Sequence, residues 1–260
     1  MATKPASRAP AGRVTSLMIP LLGPTDPFPP VDDALDDPNG LLAAGGGLGV
    51  DRLIEAYARG IFPWFSAGDP VLWWCPDPRM VLATDAVHVS RSLERRLKKG
   101  GFEITFDRAF ARVLTECAAP RRHESGTWLV PAMRKAYLRL FEAGAAHSIE
   151  VWMDGELAGG LYGVCLGRMF FGESMFTRRT DGSKIAIVML ARHLWQWGIP
   201  MIDCQMRTEH LVTMGAREIR RRRFVHTVAD LVKQPAPPTP WSVEPDLVRS
   251  SLEYGSAQGD

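Results

Sequence analysis

The stretch GRMFFGESMFTRRTDGSKIAIVMLARHLWQWGIPMIDCQ, residues 167–205, constrains the fold more than any other part of the chain. Its patterning predicts a strand over about 169–176, a basic glycine-containing loop over 177–183, a long apolar helix over about 184–197 and a second strand over 201–205. Strand, helix and strand in unbroken succession make a crossover unit, so the two strands are expected to run parallel, with the loop opening at the helix N-terminus. Two carboxylates, Glu173 and Asp203, interrupt otherwise apolar strands of this unit. Burying a carboxylate unpaired is costly or forces its pKa upward, so each needs a partner or a task.

A chain of 260 residues is long enough for one large domain or two ordinary ones. Eight Trp and eleven Met suggest a pocket or stacking surface in addition to a core. The net charge of +2 does not announce a polyanion partner, yet basic residues cluster, with five in Arg91 to Lys99 and five in Arg217 to Arg223. Cys75, Cys117, Cys165 and Cys204 lack metal-ligand spacing and read as reduced thiols, with no metal site, in a cytoplasmic protein. The apolar run Leu17 to Leu22 is broken by Pro20, which argues against a signal peptide or membrane span.

Residues 1–27 carry no sustained period and read as a disordered extension. The glycines from Gly45 to Gly49 precede a helix with Asp51 as expected N-cap and Gly60 as its stop. With no strand expected before them, they read as a flexible turn in preference to a dinucleotide loop. Prolines and aromatics then alternate through Phe62-Pro63-Trp64-Phe65 and Leu72-Trp73-Trp74, too tightly for a helix. They form either a small aromatic core or a platform on which a base can stack. Ser90 to Gly100 is a capped basic helix, either a solvated face or a phosphate contact. A strand over 102–106 leads to a helix expected to be capped by Asp107, and a further helix starts at Pro131 with Met133, Tyr137, Leu140 and Phe141 inward. Alternating strands over 147–153 and 156–166, joined by Asp154-Gly155, make a hairpin that turns at Gly167-Arg168 into the crossover unit.

An antiparallel meander followed by strand, basic loop, helix and strand is the element order of the GNAT acyltransferase core, where the loop and helix N-terminus hold a pyrophosphate. Arg178 to Ser183 resembles that loop in part, with Lys184 replacing a small residue. The expected fold class is therefore α+β: a small N-terminal α/β domain over 28–115, a GNAT-like (acyl-CoA N-acyltransferase-like) mixed-sheet domain over 116–232, and a tail over 233–260.

Seven ordered motifs closely resemble the bacterial leucyl/phenylalanyl-tRNA–protein transferases: Pro38-Asn39-Gly40-Leu41-Leu42, Arg59 to Phe65, Leu72-Trp73-Trp74 with Pro76-Asp77-Pro78-Arg79, Gly126-Thr127-Trp128, His147 to Trp152, Gly172 to Phe176, and Ile202 to Gln205. The resemblance spans about residues 28–230. It implies a cofactor-free, monomeric enzyme that moves Leu or Phe from Leu-tRNA or Phe-tRNA onto proteins with N-terminal Arg or Lys, marking them for the N-degron pathway. It further implies that Trp64, Trp128 and Tyr57 hold the terminal adenosine, and that Leu161, Phe170, Met175, Ile187, Leu190 and Ile202 line the side-chain pocket. Glu173 would orient the acceptor amine, with Asp203 and Gln205 as a relay that activates it. Arg91, Arg95, Lys98 and Lys99 would track acceptor-stem phosphates. Positions i and i+2 of a strand face the same side, which suits an Asp203–Gln205 pair.

Other readings of the same residues stay open. Glu173 and Asp203 can be structural, paired with an arginine such as Arg178 or Arg207. A coenzyme-A-dependent N-acetyltransferase shares the element order, and an RNA-binding module without catalysis would use the basic helix and aromatic loops alone.

Overall fold

A computed structural model describes residues 19–119 and 129–249. Two sheets organise the chain. The first strand, β1 (Leu21–Leu22), pairs in parallel with β2 (Leu41–Gly45), and α1 (Val50–Ala58) follows. Short strands β3 (Phe62–Pro63) and β4 (Leu72–Trp74) complete a four-stranded sheet in the order β1-β2-β4-β3. The chain then enters a seven-stranded sheet with β5 (Arg79–Ala83), α2 (Arg91–Lys99) and β6 (Glu103–Phe106). Helices α3 (Phe110–Ala118) and α4 (Pro131–Glu142) precede the meander β7 (Ala146–Met153), β8 (Glu156–Leu166) and β9 (Met169–Thr177). The crossover helix α5 (Gly182–Gln196) leads to β10 (Met201–Gln205), then α6 (Glu209–Thr213), β11 (Arg217–Ile219), α7 (Arg221–Leu231) and α8 (Pro245–Arg249). The large sheet has the order β11-β5-β10-β9-β8-β7-β6 and is mixed, with β9 and β10 parallel as a crossover requires.

Both faces of this sheet are covered. Neighbouring residues Leu161 and Tyr162, like Phe170 and Phe171, enter separate apolar clusters on opposite faces. One cluster packs against α1, α3, α4 and α7, the other against α2, α5 and α6. Helix α5 runs close to β8 because Gly159 and Gly182 lack side chains: a Cβ on Gly159 would lie 2.4 Å from the Gly182 carbonyl carbon. The β7–β8 turn uses Asp154 and Gly155, both at positive φ (54° and 77°), the hairpin geometry that this pair predicts.

Several local expectations change. Strand β1 lies inside the stretch read as a disordered extension, and residues 1–18 fall outside the described part. Strand β2 does precede the glycine run, so Gly45 to Gly47, all at positive φ, turn a strand into α1. The N-cap of α1 is Gly49, with Asp51 already in the first turn. Asp107 is no helix cap: at φ 57° it accepts from the Ser148 backbone N–H (2.8 Å) and pairs with His147 Nδ1 (2.7 Å), tying the end of β6 to β7. Strands β5 and β6, grouped by sequence with the N-terminal unit, hydrogen-bond into the large sheet. In the segment read as a tail, Trp241 is buried and stacks on His147, with centroids 3.8 Å apart and planes at 8°.

Candidate active site

Strands β9 and β10 pair at only two positions, Ile202 with Phe170 and Asp203 with Phe171, and their pairing goes no further. Each carries a bulge where it leaves the ladder. Opposite β8, Tyr162 pairs with Ser174 and Gly163 with Gly172, which leaves Glu173 as the extra residue. Opposite β5, Val81 pairs with Asp203 and Met80 with Gln205, which leaves Cys204 as the extra residue. Bulges re-aim side chains and bend strands, and here they open a wedge and turn polar groups toward it.

Glu173 is buried with three donors on its carboxylate: Tyr57 Oη (2.7 Å), Tyr137 Oη and Gln205 Nε2 (2.8 Å). Burial outweighs these donors and pushes its pKa up to about 7. The same enclosure, together with the nearby carboxylate, raises both tyrosine hydroxyls well above their ordinary value, so they stay protonated donors. Asp203 is fully buried and held by Arg79 through two parallel bonds of 2.8 and 2.7 Å. The Arg79 guanidinium lies between the rings of Phe62 (4.7 Å) and Phe224 (4.5 Å), so its position is set by β3 and α7. Asp203 Oδ1 also accepts from the Gln205 backbone N–H at 2.9 Å.

These contacts revise the expected roles. The arginine paired with Asp203 is Arg79, whereas Arg178 pairs with Glu116 and Arg207 with Glu209. The same-face rule for Asp203 and Gln205 fails at the bulge, where Gln205 takes φ 61°. Its side chain reaches Glu173, and Asp203 meets only its backbone. Tyr57 is fully buried, with its ring 5.2 Å from that of Phe171 and its hydroxyl donating to Glu173.

A cavity of about 80 Å³ fills the wedge. All six apolar residues named from the resemblance, Leu161, Phe170, Met175, Ile187, Leu190 and Ile202, line it, as do Glu173 and Gln205. Tyr162 and Leu211 also line it, and the Tyr162 hydroxyl is buried without a hydrogen-bond partner among the described residues.

Trp64 is exposed and meets Trp74 edge-on at 5.4 Å, while Trp73 is buried against Phe28, so the aromatic loops supply both a small core and a free ring. Trp128 lies outside the described residues. Arg91, Arg95, Lys98 and Lys99 are exposed on α2, with Lys98 bonded to Glu94 at 2.6 Å. The Arg217 to Arg223 cluster divides between β11 and the start of α7. Among the described residues no group of His, Cys, Asp or Glu gathers for a metal, and no helix is long and apolar enough to cross a membrane.

Two family models, described as the leucyl/phenylalanyl-tRNA protein transferase and its N-terminal domain, match residues 81–229 and 46–77. The leucyl/phenylalanyl-tRNA–protein transferase of Chromobacterium violaceum is 57% identical over 86% of this chain and 96% of its own. That of Nitrosospira multiformis is 59% identical over 83% and 93%. The chain belongs to the leucyl/phenylalanyl-tRNA–protein transferase family. As such it is an aminoacyltransferase, which moves an amino acid from tRNA to protein. Among solved structures, a conserved protein of unknown function from Bacteroides thetaiotaomicron is 12% identical, with TM-score 0.39 over 68% of this chain and 61% of that one, too distant to carry an argument.

In this transferase, sequence reasoning missed Tyr162 and Leu211 on the cavity wall and, among the groups that hold the two carboxylates, Arg79 and Tyr137. The last two each left a signal: an arginine opening the apolar run Met80-Val81-Leu82, and a tyrosine on the inward face of a helix, whose hydroxyl needs a partner once buried.

Proposed function

We propose that the enzyme transfers Leu or Phe from the 3′ ester of its tRNA to the α-amine of proteins beginning with Arg or Lys, by direct attack of the amine on the ester. The observation that carries this reading is the wedge cavity, lined by six apolar residues together with Glu173 and Gln205. Such a pocket accepts Leu and Phe and separates similar apolar side chains by only about 1–3 kcal/mol per methylene.

The ester is already activated, so positioning and proton transfer are what remain for the protein. The amine nitrogen forms a bond to the carbonyl carbon, the bond to the ribose oxygen breaks, and the proton lost by nitrogen ends on that oxygen. A carboxyl with a pKa of about 7 is populated in both forms near neutrality, which suits Glu173 to take this proton and return it. Asp203, bound to Arg79 on one side and the Gln205 backbone on the other, fixes the bulge, and Gln205 in turn holds Glu173. Trp64 offers a ring to the terminal adenosine, and Arg91, Arg95, Lys98 and Lys99 offer charge to the acceptor stem. The product, a protein with a new N-terminal Leu or Phe, suits a cytoplasmic N-degron route. The meander, parallel β9–β10 pair and crossover helix favour a GNAT-like description of the catalytic part, acting as a monomer.

Against coenzyme A stands the use of backbone donors in the loop that leads into α5. Backbone N–H groups of Arg178 and Arg179 bind the Ala158 carbonyl, that of Gly182 binds the Arg179 carbonyl, and Gly182 presses on Gly159. A pyrophosphate would find these donors used.

The test offers labelled Leu-tRNA, Phe-tRNA or acetyl-CoA with peptides starting in Arg, Lys or Ala. Label from both tRNAs on the α-amine of the Arg and Lys peptides alone is expected. Label from acetyl-CoA, or none on Arg and Lys peptides, would overturn the reading.

A further inference from the structure

A second cavity, of about 340 Å³, lies away from the wedge, between the N-terminal sheet and α4. Leu48 and Val71 form one wall, and Ala132, Ala136, Lys135 and Arg139 form the other. Lys135 and Arg139 are exposed, stand one helical turn apart, and make no ion pair among the described residues. Their spacing along α4 is about 6 Å.

The groove is framed by the elements next to the two tryptophans expected at the adenosine. Val71 directly precedes Leu72, whose carbonyl accepts from the Trp64 backbone N–H at 2.9 Å. Helix α4, which supplies the opposite wall, begins at Pro131, three positions after Trp128. Trp64 is therefore tied by its backbone to the strand that follows Val71, one wall of a trough whose other wall carries two cations with no ion pair among the described residues.

We infer that this groove binds the single-stranded nucleotides immediately 5′ of the terminal adenosine, with Lys135 and Arg139 on their phosphates and the apolar wall against base or sugar. The inference rests on the proposed transfer from tRNA and deepens it by naming a second donor subsite. Charge decides between the two polymers the enzyme meets. A phosphodiester chain is attracted here, whereas an acceptor beginning in Arg or Lys is repelled. Contacts of this kind position the donor without reading its sequence, as an enzyme that accepts both Leu-tRNA and Phe-tRNA requires.

The experiment compares wild type with the double variant Lys135→Ala/Arg139→Ala, which keeps good helix formers on α4. Three donors carry the same phenylalanyl ester: adenosine without phosphate, the dinucleotide CpA with one internucleotide phosphate, and full-length tRNA. Unchanged kcat and KM on phenylalanyl-adenosine are expected, with KM raised about tenfold or more on the dinucleotide and tRNA, and a salt dependence of tRNA binding shallower by about one to two in log–log slope. An equal loss on all three donors would mark a structural role and overturn the inference. So would no loss on any, or a loss on tRNA with none on the dinucleotide, which would put the cations on the stem. Equilibrium binding of uncharged CpCpA makes the same comparison without catalysis. If wild type binds it more tightly than the variant yet transfers nothing, the transfer reading fails and the groove stands.

Discussion

Glu173 combines enclosure with three hydrogen-bond donors, and enclosure wins, leaving its pKa near 7. The folded protein therefore holds a proton on Glu173 that the unfolded chain releases at the ordinary carboxylate value of 4.5. The stabilisation from this group is complete below about pH 4.5 and is lost as pH rises through about 7. Chemical denaturation from pH 4.5 to 8 is expected to show a fall in stability that Glu173→Gln flattens, and an unchanged slope in the variant would contradict the assignment. Arg79 makes a second prediction. Removing it leaves Asp203 buried and uncompensated, so Arg79→Ala is expected to cost about 3–5 kcal/mol in urea unfolding, and a loss below 1 kcal/mol would mean that Asp203 is solvated. At this scale the sequence announces that something is wrong with a carboxylate in an apolar strand, but not what satisfies it. Arg79 lies 124 positions from Asp203, and Tyr57 lies 116 from Glu173, so these pairings exist only once the sheet has assembled.

The crossover unit and the hairpin are legible because their signals are local: an apolar helix between two strands, and Asp154-Gly155 between two alternating runs. Bulges are not legible, since an extra residue is defined by the partner strand. The two bulges at Glu173 and Cys204 separate the observed site from one drawn on ideal strands. Pocket identity came from family resemblance, because Ile187 and Leu190 look the same as any core residues on α5. The wedge gives a test of its size. Leu190→Phe, which pushes a ring into a cavity of about 80 Å³, is expected to slow Phe transfer about tenfold more than Leu transfer in competition assays with both charged tRNAs. Equal slowing of both would place Leu190 outside the side-chain pocket.

Across the whole molecule, chain order and spatial order diverge. The large sheet takes β5 and β6 from the region that sequence texture assigns to the N-terminal unit, with β5 between β11 and β10 and β6 at the far edge. The outcome is functional as well as architectural. Strand β5 carries Arg79 to Asp203, while α1 carries Tyr57 and α4 carries Tyr137 to Glu173, where the two halves of the chain meet on one carboxylate. If that carboxylate exchanges the proton in aminolysis, its ionisation must appear in the chemical step. The direct measurement is the single-turnover rate of transfer from Phe-tRNA to a saturating Arg-initiated peptide across pH 5.5 to 9, for wild type and Glu173→Gln. We predict a wild-type rate that rises with an apparent pKa near 7, and a variant slowed about a hundredfold or more whose profile has lost that limb. A variant that retains both the wild-type rate and the same limb would contradict the account.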